Sequence, residues 1–75
     1  MDAAKLARMA NDIANNFAAL GVDEAVASTT NHMRMFWDPR MREQAFSMIA
    51  NGEGQFNEIA LKAVEQLAAA STDNG

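Results

Sequence analysis

Cysteine and tyrosine are absent from these 75 residues, and tryptophan, proline and histidine occur once each. Without Cys there is no disulfide and no thiolate to hold zinc or an iron–sulfur cluster. A single His cannot build a zinc site unaided. No apolar run approaches the ~18 residues of a membrane span. The opening "MDAAKLARMAND" has no apolar h-region, so no secretory leader is expected. A net charge of −4 runs against broad nucleic-acid binding, which needs a basic face. Taken together, these absences predict a cytoplasmic protein without membrane or nucleic-acid partners. Nor does any segment alternate apolar and polar residues at period two over a strand's length.

What is present is a set of helix formers, with abundant Ala supported by Leu, Met, Glu and Gln. The fold class is therefore all-α: a small domain of about four short helices over 1–70, followed by a polar C-terminal tail, 71–75. The first helix is expected from Ala3 to Leu20 with Asp2 as N-cap. Its stripe is Leu6, Met9, Ile13, Phe17 and Leu20, and Gly21 fits the left-handed C′ position, with Val22 placed to contact Phe17 as in a Schellman ending. The second is expected from Asp23, as N-cap, to Phe36. Val26, Thr30, Met33 and Trp37 form its stripe, and the polar "STTN" at its middle implies core contact mainly at its ends. Asp38 and Pro39 then start a third helix: Asp38 caps, Pro39 suits the first helical position, and Pro39 forces the second helix to stop by Trp37. The third helix turns Met41, Ala45, Met48 and Ile49 inward and stops at "NGEG", with Gly52 at the C′ position. The fourth starts near Asn57, with Phe56 and Leu61 placed as a hydrophobic staple and Ile59, Ala60, Ala63, Val64 and Leu67 inward. Short loops point to an antiparallel bundle with a sharp corner at Trp37-Asp38.

A chain this short hides only about 60% of its unfolded surface. With no disulfide and no metal to stabilise it, a partner is the remaining device. The stretch "RMFWDPRMRE", residues 34 to 43, holds the lone Trp, the lone Pro and three of the six basic residues. Trp and Arg are enriched among interface hot spots, and Met33, Met35, Met41 and Met48, from the same region, are adaptable in contact. Helical phase puts Met35 opposite Met33 and Trp37. It displaces Phe46 by roughly 100° from the inward face of its helix. Met35 and Phe46 are thus apolar groups left over for a partner, or, for Phe46, for the edge of the core. Most of the Trp37 ring belongs to the core, with one edge and the indole N–H available. Nothing resembles a catalytic constellation: His32 stands alone, "NGEG" lacks the lysine and hydroxyl residue of a phosphate loop, and the adjacent Asp23-Glu24 suits a helix N-terminus.

Three strings, "LARMANDIANNF" (6 to 17), "NHMRMFWDPRMRE" (31 to 43) and the later "NGEG" followed by a short helix, resemble the delta subunit of soluble, NAD-linked, molybdenum-dependent formate dehydrogenases. The F-W-D-P-R-M-R string carries most of the specificity, and the likeness covers about residues 5 to 68. The resemblance implies an accessory subunit and not a catalyst. Its partner would be the large catalytic subunit and the complex around it. No cofactor is expected on this chain. Molybdenum bis-guanine-dinucleotide, iron–sulfur clusters, FMN and NAD are expected on other subunits. On this reading Arg34, Met35, Phe36, Trp37, Arg40, Arg42 and Phe46 bind the partner, and Asp38, Pro39, Gly21 and Gly52 shape the fold. A transient assembly or cofactor-insertion factor is the alternative role, and a small anion- or nucleic-acid-binding module a more distant one.

Overall fold

Amphipathic spacing and turn chemistry divide the chain into α1 (Ala3–Phe17), a 3₁₀ turn (Ala18–Leu20), α2 (Val22–Phe36), α3 (Pro39–Ala50) and α4 (Glu58–Asp73). The computed structural model describes the backbone of residues 1–73 and the side chains of 1–70. It bears out the all-α fold of four helices, with no strand among the described residues. The rest of the polar C-terminal tail, 74–75, lies outside them. The radius of gyration is 11.1 Å, close to the ~11 Å of one compact globule of this length.

Three helix boundaries differ from expectation: α4 runs on to Asp73, through the first three residues of the expected tail, the ends of α1 and α2 nearest Gly21 shift, and the left-handed C′ ending expected at Gly21 does not form. The first α-helix ends at Phe17, and its final turn tightens to 3₁₀, a common way to finish the last carbonyls of a helix. The second begins one residue early, at Val22, so Asp23 is not the N-cap. Gly21 holds that place, with φ +94° and ψ 157°. Its N–H donates to the Ala18 carbonyl at 3.2 Å and its carbonyl accepts from the Ala25 N–H at 2.8 Å. A residue with a Cβ adopts that backbone only under strain. Asp23 and Glu24 fall in the first turn of α2, where carboxylates suit the helix dipole.

The end of α3 follows the expected pattern. Gly52 has φ +70°. Its N–H donates to the Ile49 carbonyl at 3.1 Å, and the Glu53 N–H donates to the Met48 carbonyl at 2.7 Å. This is the paired arrangement of a Schellman ending, which requires the left-handed backbone at that position. In α4, Asn57 caps with its side chain: Asn57 Oδ1 accepts from the Ala60 N–H at 2.8 Å.

The core departs from the sequence reading in two places. In α1 the buried residues are Leu6, Ala7, Ala10 and Ala14, whereas Met9, Ile13 and Phe17 are half-buried and Leu20 is exposed. The alanines form the seam because their small side chains let neighbouring helices approach, and the larger groups flank it. The middle of α2 is also buried, not held off the core: Thr29 is 0% and Thr30 5% exposed. The Thr30 hydroxyl donates to the Val26 carbonyl of its own helix at 2.7 Å and reaches the Ala63 carbonyl of α4 at 3.3 Å. Against the small Ala60 and Ala63, Thr serves as a close-packing residue. Val26, Met33, Trp37, Ala45, Met48, Val64 and Leu67 complete the interior.

Thr29 is the exception within this seam. Its Oγ1 is buried with no hydrogen-bond partner, and an orphaned hydroxyl costs about 1–3 kcal/mol. Thr29→Val, which replaces it with a methyl group of similar shape, is expected to stabilise the fold by about 1 kcal/mol. The melting temperature should rise by about 4–8 °C for a domain this small. Thr30→Val should lower it. Thermal melts followed by circular dichroism distinguish the pair, and a fall for both variants would show that the Thr29 hydroxyl is satisfied.

Candidate docking surface

The corner between α2 and α3 is set by three adjacent residues. The Trp37 N–H donates to the Met33 carbonyl at 2.9 Å and closes α2, and Trp37 itself is extended, with φ −88° and ψ 134°. Asp38 is extended too, and its Oδ1 accepts from the Met41 N–H at 2.9 Å. Pro39 occupies the first turn of α3, where a missing N–H removes no bond. Two helices therefore meet with no loop between them beyond Trp37 and Asp38.

This geometry inserts the Trp37 ring into the core, 5% exposed, while its neighbours stay outside. Met35 is 66% and Phe36 68% exposed, the two most exposed large apolar residues of the chain's described part. The Phe36 ring lies 4.7 Å from the His32 ring, tilted by 42°, and Asn31 Nδ2 approaches Met35 Sδ at 3.6 Å. A groove of about 440 Å³ opens beside them, walled by Met9 and Ile13 of α1, His32 and Phe36 of α2, and Met41 of α3, with Trp37 between. Met1 and Asp12 complete its rim. Gln44 of α3 donates to the Met1 carbonyl at 2.6 Å, which holds the start of the chain across α3.

Not all the residues singled out in the sequence share this surface. Phe46 is half-buried, packs against the core, and faces α4, where it lines a separate apolar hollow of about 260 Å³ with Ile49, Ala50 and Val64. Arg42, half-buried, is one turn before Phe46, so the two are neighbours on that side of α3. Arg40 is one turn before Gln44 and so lies on the groove side. Arg34 follows Thr30 by one turn, on the side of α2 that approaches α4. Arg34 and Arg40 are exposed. Among the described residues the one ion pair joins Lys62 Nζ to Glu58 at 3.2 Å, so none of these arginines pairs with a described carboxylate.

Sequence reasoning missed the contribution of α1. Met9 and Ile13 supply one wall of the groove, and on another side of α1 the asparagines of "ANDIANN" clamp the segment before α4. Asn11 Nδ2 donates to the Gln55 carbonyl at 2.7 Å, and Asn11 Oδ1 accepts from the Asn57 N–H at 2.8 Å. Asn57 Nδ2 reaches Asn15 Oδ1 at 3.4 Å. The signal was available in the i, i+4 spacing of Asn11 and Asn15, which places both on one side of a helix. A hollow of about 720 Å³ beside this clamp is lined by Ala3, Ala7, Arg8, Asn11, Glu53 and Gln55 among others. Among the described residues no cluster of His, Cys, Asp or Glu is arranged to hold a metal, and no helix is long and apolar enough to cross a membrane.

These features define a small all-α domain with an apolar, arginine-edged outer surface. The chain belongs to the NADH-dependent formate dehydrogenase delta subunit family, FdsD, whose family model matches residues 5–64. The matched span holds α1, α2, α3, the whole corner and the first half of α4, and makes the chain a subunit of a formate dehydrogenase complex. Neither the curated proteins nor the solved structures contain a match to it.

Proposed function

We propose that this chain is a non-catalytic accessory subunit that binds the large catalytic subunit of a cytoplasmic, molybdenum-dependent, NAD-linked formate dehydrogenase and stabilises or helps assemble the complex. The observation that carries the reading is the adjacent exposure of Met35 and Phe36 beside arginines that form no ion pair among the described residues. An acidic protein of this size gains nothing from such a surface while alone, and a partner that covers it supplies the apolar burial that the short chain lacks. Phe36 and Met35 act as apolar anchors, with Trp37 as the rigid support beneath them. Arg34, Arg40 and Arg42 offer planar guanidinium groups to carboxylates or carbonyls of the partner, and Phe46 extends the contact toward α4. On this reading, which rests on the family resemblance, the molybdenum cofactor, iron–sulfur clusters, FMN and NAD are carried by other subunits; for the clusters, whose iron is held by thiolates, the absence of Cys here is in keeping with that.

Co-purification with a tagged large subunit tests this. The chain is expected in the bound fraction, and its complete recovery in the unbound fraction would remove the proposal. Arg40→Ala or Arg42→Ala should weaken binding by ~2 kcal/mol or more where the arginine pairs with a carboxylate buried at the interface. An arginine left at a solvated rim would change it by only ~0–1 kcal/mol. Titration calorimetry on the purified variants separates the two.

A further inference from the structure

The groove at the corner has one carboxylate, Asp12, in its lining, and the helix that supplies Met41 to it carries Arg40 on its adjoining flank. Asp12 is exposed on the α1 bank. Arg40 is exposed on the α3 bank, one helical turn from the Gln44 that grips Met1 at the groove's rim. Neither forms an ion pair among the described residues, where the one such pair is Lys62–Glu58. Between the banks the lining is almost wholly apolar: Met9, Ile13, Phe36, Trp37 and Met41, with the His32 ring against Phe36. An apolar floor with Asp12 in its lining and Arg40 on the adjoining flank suits an occupant of the opposite polarity.

Building on the docking reading above, we infer that this groove receives a segment of the formate dehydrogenase large subunit that is apolar at its centre, cationic where it meets α1 and acidic where it meets α3. Apolar side chains of that segment pack on Met9, Ile13, Met41 and the exposed face of Phe36. A carboxylate pairs with Arg40 and an ammonium or guanidinium group with Asp12, and these two pairs fix the direction in which the segment lies. The stacking of Phe36 on His32 holds the main anchor in place before contact, which limits the ordering needed on binding. The Met residues lend the walls adaptability. The charge pairs at the rim act chiefly on orientation and association rate, and the apolar centre on residence time.

The test uses formate dehydrogenase purified from a strain lacking this chain, titrated with the full-length chain and its variants by biolayer interferometry. Circular dichroism confirms the fold of each variant. Phe36→Ser, at an exposed site, is expected to raise Kd by about tenfold or more, the effect of losing an interface anchor. Arg40→Glu and Asp12→Lys should each raise Kd by about three- to tenfold at low salt, with the effect shrinking as salt is added. Lys62→Glu, the same charge change on α4, should leave Kd unaltered. If the wild-type chain does not bind, the docking reading itself falls. If it binds and Phe36→Ser binds equally well, docking stands but the groove is not where it occurs. If Phe36→Ser is weakened while both charge variants bind as wild type, the assigned polarity of the occupant is wrong. Sedimentation of the free chain adds a further outcome: a dimer that dissociates in Phe36→Ser would make a second copy the occupant and overturn the assignment.

Discussion

Trp37→Ala is expected to abolish the cooperative melting transition of the isolated chain. The ring is 5% exposed and belongs to the central cluster with Leu6, Met33, Ala45, Met48 and Leu67. Truncating a buried aromatic to Ala costs about 3–5 kcal/mol, from lost burial and from the cavity left behind. A domain of this length has about 4–11 kcal/mol of total stability, and the change removes a large part of it. Two features make relaxation difficult here. Trp37 ends α2 through its N–H to Met33, and Asp38-Pro39 follow immediately, so the backbone cannot slide to fill the space without losing the cap on α3. Thermal melting by circular dichroism gives the measurement. Trp37→Phe, which keeps an aromatic ring, should retain a transition at reduced temperature, while a melting temperature for Trp37→Ala within a few degrees of wild type would mean that the ring is not structural. Because Trp37 also lies beneath the Phe36 groove, the same change should weaken docking, whereas Phe36→Ser should affect docking with little effect on melting.

Asn11→Ala is expected to destabilise by about 2 kcal/mol, since it leaves a half-buried backbone N–H at Asn57 and a carbonyl at Gln55 without their partner. Asn57→Ala removes the N-cap of α4 and should cost about 1–2 kcal/mol. Asn11 accepts from the Asn57 backbone N–H, which Asn57→Ala retains, so the two losses should add within about 0.5 kcal/mol. Denaturant titrations of the four proteins give the cycle. A coupling well above that would show that the Asn57 side chain holds its own N–H in place for Asn11. The network matters to the docking surface as well, because the helix it anchors, α1, also supplies Met9 and Ile13 to the groove.

Several parts of the molecule were legible in the sequence because their causes are local. Asp38 and Pro39 mark the start of α3 through a side-chain cap and a fixed φ, and Gly52 marks its end through a backbone that only glycine adopts without strain. Each effect acts within about four residues, so a linear reading reaches it. The predominance of Ala and unbranched residues likewise sufficed for the fold class. The helix 2 stripe of Val26, Thr30, Met33 and Trp37 also corresponds to buried positions.

Other features required knowledge of what stands opposite. "STTN" reads as a stretch with little core contact until α4 brings up Ala63, whose carbonyl the Thr30 hydroxyl reaches. Met9 and Ile13 read as core residues, yet the seam of α1 runs through Ala7, Ala10 and Ala14, and the larger side chains are displaced to a rim where they wall a groove. Arg40 and Arg42 are two apart in the chain, but helical phase and the position of α4 assign them to opposite sides of α3. By itself, then, the sequence determined the helices, their punctuation and the place of the corner, because backbone preferences and caps are short-range. The tertiary structure alone decided which faces are buried, which asparagines meet and which apolar groups are left outside, because those outcomes depend on the shape and polarity of a neighbouring helix many residues away.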